Sequence, residues 1–174
     1  MKFSNNNRRQ LLLTVFLFGT VLLAGLTGCG KKKADEAAAA EIPADVLILG
    51  TETGTTGDTL LVPLMLKTQD KVMGIQFDVV WDSSMITVGE PQLSLDNEHM
   101  SIRTRDKGDR KTVIIFSLQG TAMDLVSNEV LKFPVIVHTE KSGDTPLHLT
   151  QVIVAGQGAE QLDIGMQAGK VHLN

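Results

Sequence analysis

The chain has 174 residues, 43% of them hydrophobic and only 4% aromatic, with 16 basic against 20 acidic side chains and one cysteine. Lys2, Arg8 and Arg9 are the only charged groups before Cys29, so without that stretch the formal charge moves from −4 to −7, and such a chain does not hold nucleic-acid phosphates by bulk electrostatics. A lone cysteine excludes an internal disulfide and a multi-thiolate metal centre, which leaves stability to an ordinary packed core.

Residues 1–28 have the layout of an export signal: a basic stretch from Lys2 to Arg9, the apolar run Leu11 to Leu26, then small residues. The run falls short of the ~20 residues a permanent membrane helix needs, which fits a cleaved segment. Leu26-Thr27-Gly28-Cys29 resembles the lipobox of bacterial lipoproteins. The resemblance implies that the Cys29 thiol takes a diacylglycerol and that Cys29 becomes the new N-terminus, held on the membrane by acyl chains worth ~0.8 kcal/mol per buried CH₂. A free thiol among small residues is the other reading of Cys29. Arg8-Arg9 suits an ordinary basic leader or a twin-arginine signal.

Residues 29–44 read as a tether. Lys31 to Ala40 is alanine-rich and has good helix propensity, but no apolar stripe with which to pack, and Pro43 closes it. The triplet Lys31-Lys32-Lys33 is either solvated or in touch with anionic headgroups. Gly30 stands where some Gram-negative lipoproteins carry the Asp of an inner-membrane retention signal, so the expected place is the extracytoplasmic cell envelope, with the outer membrane favoured where the host has one.

From Asp45 to Asn174 apolar residues recur every second position, the period of a half-buried strand. In Val72 to Trp81 this puts Met73, Ile75, Phe77, Val79 and Trp81 on one face and Gly74, Gln76 and Asp78 on the other. In Val130 to Thr139 it groups Leu131, Phe133, Val135 and Val137. Further strands are predicted at Val46–Leu49, Leu60–Leu66, Ile86–Pro91, Ser101–Arg105, Val113–Leu118, Leu147–Val154 and Lys170–Leu173, with turn residues between them at Gly57-Asp58, Gly108-Asp109, Gly143-Asp144 and Gly156-Gln157-Gly158. About nine strands at this spacing predict an all-β sandwich of two antiparallel sheets. Pro63 and Pro134 fall inside strands and are expected at edges or bulges, because each lacks a ladder donor.

Gly57-Asp58-Thr59 with Val62-Pro63-Leu64, then Gly74-Ile75-Gln76-Phe77-Asp78-Val79-Val80-Trp81-Asp82, resembles the opening of a cohesin domain. The likeness continues through Asp109 to Phe116 and Glu129 to Val135 and closes at Gly169-Lys170-Val171-His172-Leu173. It implies a nine-stranded jelly-roll sandwich related to carbohydrate-binding modules. It also implies non-catalytic attachment to a protein partner, dockerin-like or another envelope protein, with a link to polysaccharide breakdown. In dockerin-binding cohesins an Asn and an Asp on the second long strand touch the dockerin helix; those places are Gly74 and Gln76 here, and Gln76 can still donate and accept.

The candidate partner-binding residues are therefore Gly74, Gln76 and Asp78, with simple solvation of the last two as the bland alternative. Asp82, before Ser83-Ser84, is expected to accept a backbone N–H in a turn. Without a dense acidic loop, no metal or cofactor is expected. The four histidines show neither metal spacing nor a nucleophile elbow, so catalysis is not expected. Phe77, Trp81 and Phe133 sit on apolar phases, which argues against an aromatic sugar platform; a carbohydrate-binding module acting on a polysaccharide stays as one alternative. A structural subunit of an envelope or secretion assembly is the other. Asp96 to Arg110 is the most charged stretch, expected to form a hairpin with Ile102 and Thr104 inward, its charges either guarding a sheet edge or steering a partner.

Overall fold

The computed structural model describes residues 45–95 and 98–174. The export signal, Cys29 and the tether lie outside the described residues.

The alternating stretches form strands in two packed sheets. In chain order these are β1 (Val46–Leu49), β2 (Thr51–Gly54), β3 (Thr59–Lys67), β4 (Val72–Val80), β5 (Ile86–Val88), β6 (Gln92–Leu93), β7 (Met100–Asp106), β8 (Arg110–Ser117), β9 (Glu129–Val137), β10 (Gly143–Gly156), β11 (Gln161–Leu162), β12 (Gly165–Gln167) and β13 (Gly169–Leu173). The first sheet runs β12-β1-β3-β9-β5, with β6 also on β9. The second runs β2-β13-β10-β4-β8-β7, with β11 also on β10. Each of the nine predicted strands is present, and β2, β6, β11 and β12 are added to them. Most pairs are antiparallel; the exceptions are β1 with β12 and β13 with β2, which run parallel.

The core lies between the sheets. Leu131, Phe133, Val135 and Val137 of β9 face Ile75, Phe77, Val79 and Trp81 from the β4 stretch, and all are 5% exposed or less. The Phe77 and Phe133 rings meet edge to face at 6.3 Å and 86°, the arrangement their quadrupoles favour. Met73 departs from the predicted core face. The register of β4 on β10 shifts between the Gly74 and Val72 pairs, so Met73 is an extra residue in a bulge and Val72 becomes the buried one. A second shift, between Thr150 and Ile153, accompanies a positive φ of 52° at Gln151.

Pro63 and Pro134 also depart from expectation, since β3 and β9 are interior strands. Each proline instead sits where the neighbouring strand ends in a glycine. The carbonyl of Pro63 accepts from the Gly50 N–H at 2.8 Å, and that of Pro134 from Gly89 at 2.7 Å. A Cβ on Gly50 would stand 2.7 Å from Pro63 Cδ, and one on Gly89 3.0 Å from Pro134 Cγ. The missing donor thus falls on the last rung of a ladder, and the glycine gives the ring its room.

One ion-pair cluster ties the sheets together. The Lys111 side chain of β8 is 2% exposed; its Nζ donates to Glu90 Oε1 at 2.7 Å and lies 3.2 Å from Asp106 Oδ2. Glu90 follows β5 in the first sheet and also accepts from Thr104 Oγ1 at 2.6 Å.

Candidate functional site

The outer face of the second sheet carries the predicted residues. Pairing puts Gln76 of β4 between Ile153 of β10 and Ile114 of β8, and Gly74 between Ala155 and Phe116. Ile114 is 37% exposed and Ile153 44%. Around Gly74 these side chains rim a shallow apolar depression of about 160 Å³. A Cβ at Gly74 would approach the Ile115 carbonyl oxygen to 3.2 Å, so the glycine keeps the floor of the depression open. Strands hydrogen-bonded on both sides hold this face, and its outline is preformed.

Asp78 lies on the same face, as the alternation predicts, but it does not project into solvent. Its side chain is 2% exposed, Arg110 Nη1 stands 3.8 Å from Oδ2, and among the described residues Oδ2 has no hydrogen-bond partner. The adjacent Thr112, which pairs with Asp78 across the ladder, leaves its Oγ1 without a partner as well. Asp78 is therefore a covered group beside the depression and exposes almost no surface to a visiting protein.

Sequence reasoning missed Ile114, Phe116 and Ile153. A signal was available in Val113-Ile114-Ile115-Phe116, where the outward phase of a half-exposed strand is apolar twice running. For Ile153 the phase was hidden by the bulge at Gln151.

Along the edge next to β8, β7 adds Ser101, Arg103 and Arg105 opposite Phe116, Ile114 and Thr112. Ile102 and Thr104 take the inward phase, as expected. At the far side, Asp144 Oδ1 meets His172 Nδ1 and Asp144 Oδ2 meets Lys170 Nζ, both at 2.6 Å. Those two bonds, Lys170 first, hold the Asp144 carboxyl below the usual aspartate range. No hydroxyl or thiol bonds the imidazole among the described residues, so this Asp–His pair lacks the nucleophile an acyl-transfer site needs. Asp82 accepts from the Ser84 hydroxyl at 2.6 Å and from the Ser84 N–H at 2.9 Å, the turn role its sequence position predicts, and those bonds lower its carboxyl's pKa. Among the described residues no cluster of three or more His, Cys, Asp or Glu is placed to hold a metal ion.

A larger recess of about 300 Å³ opens beside the end of β10 and is lined by Val152, Val154, Leu162, Ile164 and Met166 with Gln161 and Asp163. Leu162 and Ile164 pack against the core there. It reads as a seam of the sandwich rather than a site.

No protein-family profile matches the sequence. No curated protein matches it either. Solved structures do. A non-cellulosomal cohesin from the hyperthermophilic archaeon Archaeoglobus fulgidus is 17% identical over 76% of this chain and 92% of its own, with a TM-score of 0.64. The cohesin of a type I cohesin–dockerin complex from Clostridium thermocellum is 18% identical over 76% of this chain and 100% of its own, at 0.63. The sixth cohesin of scaffoldin B from Acetivibrio cellulolyticus, solved with a Cel5 dockerin, is 11% identical over 76% and 100%, at 0.65. At such identities the likeness speaks for architecture and not for activity: the described domain has the cohesin fold.

Proposed function

We propose that this chain is a non-catalytic binding module that docks a protein partner, dockerin-like in kind, on the outer face of its second sheet. The observation that carries the reading is the apolar strip around Gly74, with Ile114 and Ile153 exposed and Phe116 and Ala155 half-buried, set on strands that have no freedom to lose. A rigid face keeps the ordering cost of association small, and isolated apolar side chains at its centre are the groups that gain most by being covered. In this reading the lipid on Cys29 holds the module at the envelope, and the tether of residues 29–44 carries it off the membrane. The cohesins of the Clostridium thermocellum and Acetivibrio cellulolyticus complexes, caught with dockerins, support a protein as the ligand.

The test places a photo-crosslinking side chain at Gln76 in the full chain, in cells. The expected result is one discrete protein adduct, lost in Ile114→Asp/Ile153→Asp and not formed when the probe is moved to Leu61 on the first sheet. Absence of any adduct, or equal adducts from both positions, overturns the reading. Retention on a glycan column without a protein adduct replaces it with a carbohydrate-binding module. Metabolic labelling with a fatty-acid analogue, abolished by Cys29→Ala, checks the anchor.

A further inference from the structure

Resting on that docking face, we infer that its partner is acidic: an amphipathic helix whose apolar ridge is flanked by carboxylates on the side that meets β7. The size of the partner element follows from the strands. Ile153, Gln76 and Ile114 stand side by side on three adjacent strands, a span of about 10 Å at the ordinary strand spacing, and a helix with its side chains is about 10–12 Å across. The depression at Gly74, about 160 Å³, has room for one apolar side chain of the ridge.

The sign of charge comes from an inventory of this face. The carboxylates on its strands are covered or paired. Asp78 is covered, with Arg110 beside it, and Asp144 is matched by Lys170 and His172. The arginines of β7 are not spent. Arg103 and Arg105 are exposed, and no ion pair involves either among the described residues. Among the described residues, the one bond of the Arg103 guanidinium is from Nη1 to the Ile102 carbonyl at 3.1 Å. Cross-strand pairing sets Arg103 beside Ile114 and Arg105 beside Thr112, directly along the strip. A chain whose formal charge is −4 thus turns an unmatched positive row toward its apolar centre. Carboxylates on a partner can take that row by paired guanidinium bonds, whereas a basic partner meets repulsion there.

A display library of helical bundles with one randomised face, selected on the full-length chain, reads the preference directly. Asp and Glu should be enriched on one flank of the chosen ridges. A purified binder should lose at least tenfold in affinity against Arg103→Glu/Arg105→Glu in low salt, with the loss shrinking as salt screens the exposed charges. Circular dichroism and the urea midpoint of the variant, whose two substituted residues are exposed, should match the parent. Lys- or Arg-rich flanks, or indifference to the double reversal while Ile114→Asp/Ile153→Asp still abolishes binding, overturn the acidic partner and leave the docking face standing. Binders indifferent to both pairs overturn the docking face too. A concentration-dependent dimer of the chain that Ile114→Asp disperses makes a second copy the occupant, and the inference falls.

Discussion

Replacing Lys111 separates what its ammonium contributes from what its stem contributes. The side chain is 2% exposed, with Nζ on Glu90 at 2.7 Å and Asp106 at 3.2 Å, while those carboxylates are 67% and 52% exposed. Lys111→Ala removes three buried methylenes beyond Cβ, about 2.4 kcal/mol at ~0.8 kcal/mol each, and some cavity cost besides, so a loss of about 2–4 kcal/mol is expected. Lys111→Met keeps most of the apolar length and removes a desolvated charge together with its bonds. The exposed carboxylates return to water, and the change should stay within about 1 kcal/mol of neutral. Glu90→Gln/Asp106→Asn strands the ammonium instead. Stranding a fully buried charge costs about 3–5 kcal/mol, and the exposure of both partners discounts that here to about 1–3 kcal/mol. Both carboxyls have lowered pKa values, Glu90 chiefly through the Lys111 hydrogen bond and Asp106 through the Gly108 N–H and then Lys111. A carboxyl with a depressed folded pKa contributes stability above its unfolded value near 4, lost as pH falls through the folded value. Acid destabilisation should therefore be shallower in Lys111→Met than in the parent. Urea midpoints between pH 7 and pH 3 give all of these quantities. If Lys111→Met loses as much as Lys111→Ala and keeps the parental acid slope, the reasoning is refuted.

Gly169→Ala would place a Cβ 2.8 Å from the Leu49 carbonyl oxygen, backbone against backbone where the chain passes between sheets; overpacking of this kind should cost about 2–3 kcal/mol or more in urea unfolding, and an unchanged midpoint would count against the close approach. Phe77→Ala empties the centre of the core and should lose about 3–5 kcal/mol, far more than Phe116→Ala on the outer face; equal losses would mean the core is wrongly placed. Lys170→Met removes the larger of the two bonds that depress Asp144, so the Asp144 carboxyl should titrate at higher pH by NMR, and an unmoved titration would dissolve that cluster.

The long strands were legible because alternation is a local property: β4 keeps its period from Gly74 to Val80 and β9 from Leu131 to Val137, and burial largely reads the inward phase. The short strands β6, β11 and β12 were not, since two or three residues hold no period. Bulges hide in sequence for a related reason. One extra residue at Met73 or Gln151 flips the phase of everything beyond it without changing composition. Pro63 and Pro134 misled because local chemistry says only that a donor is missing; which rung lacks it depends on Gly50 and Gly89, residues supplied from elsewhere in the chain. Of the candidate site, Gly74 and Gln76 were found by likeness to a family. The covering of Asp78 involves Thr112 across the ladder and Arg110 diagonal to it on β8, a relation that no single strand displays.

Arg103 and Arg105 have two jobs that pull toward different substitutions. The strand that carries them, β7, is the edge of the second sheet and among the described residues pairs with β8 alone, so its outer N–H and C=O groups could template another chain, and charge on such a strand blocks that. The same guanidiniums give the docking face its sign. Charge reversal to Glu preserves the guard and inverts the sign. Replacement of both by Val removes both functions and leaves a β-branched, alternating edge from Met100 to Asp106. Sedimentation should accordingly find Arg103→Glu/Arg105→Glu monomeric wherever the parent is, and Arg103→Val/Arg105→Val associating as concentration rises. If the valine variant stays monomeric at high micromolar concentration, these charges are not what protects the edge. If the glutamate variant associates, its lost binding can no longer be ascribed to charge, because the face would then be buried between copies.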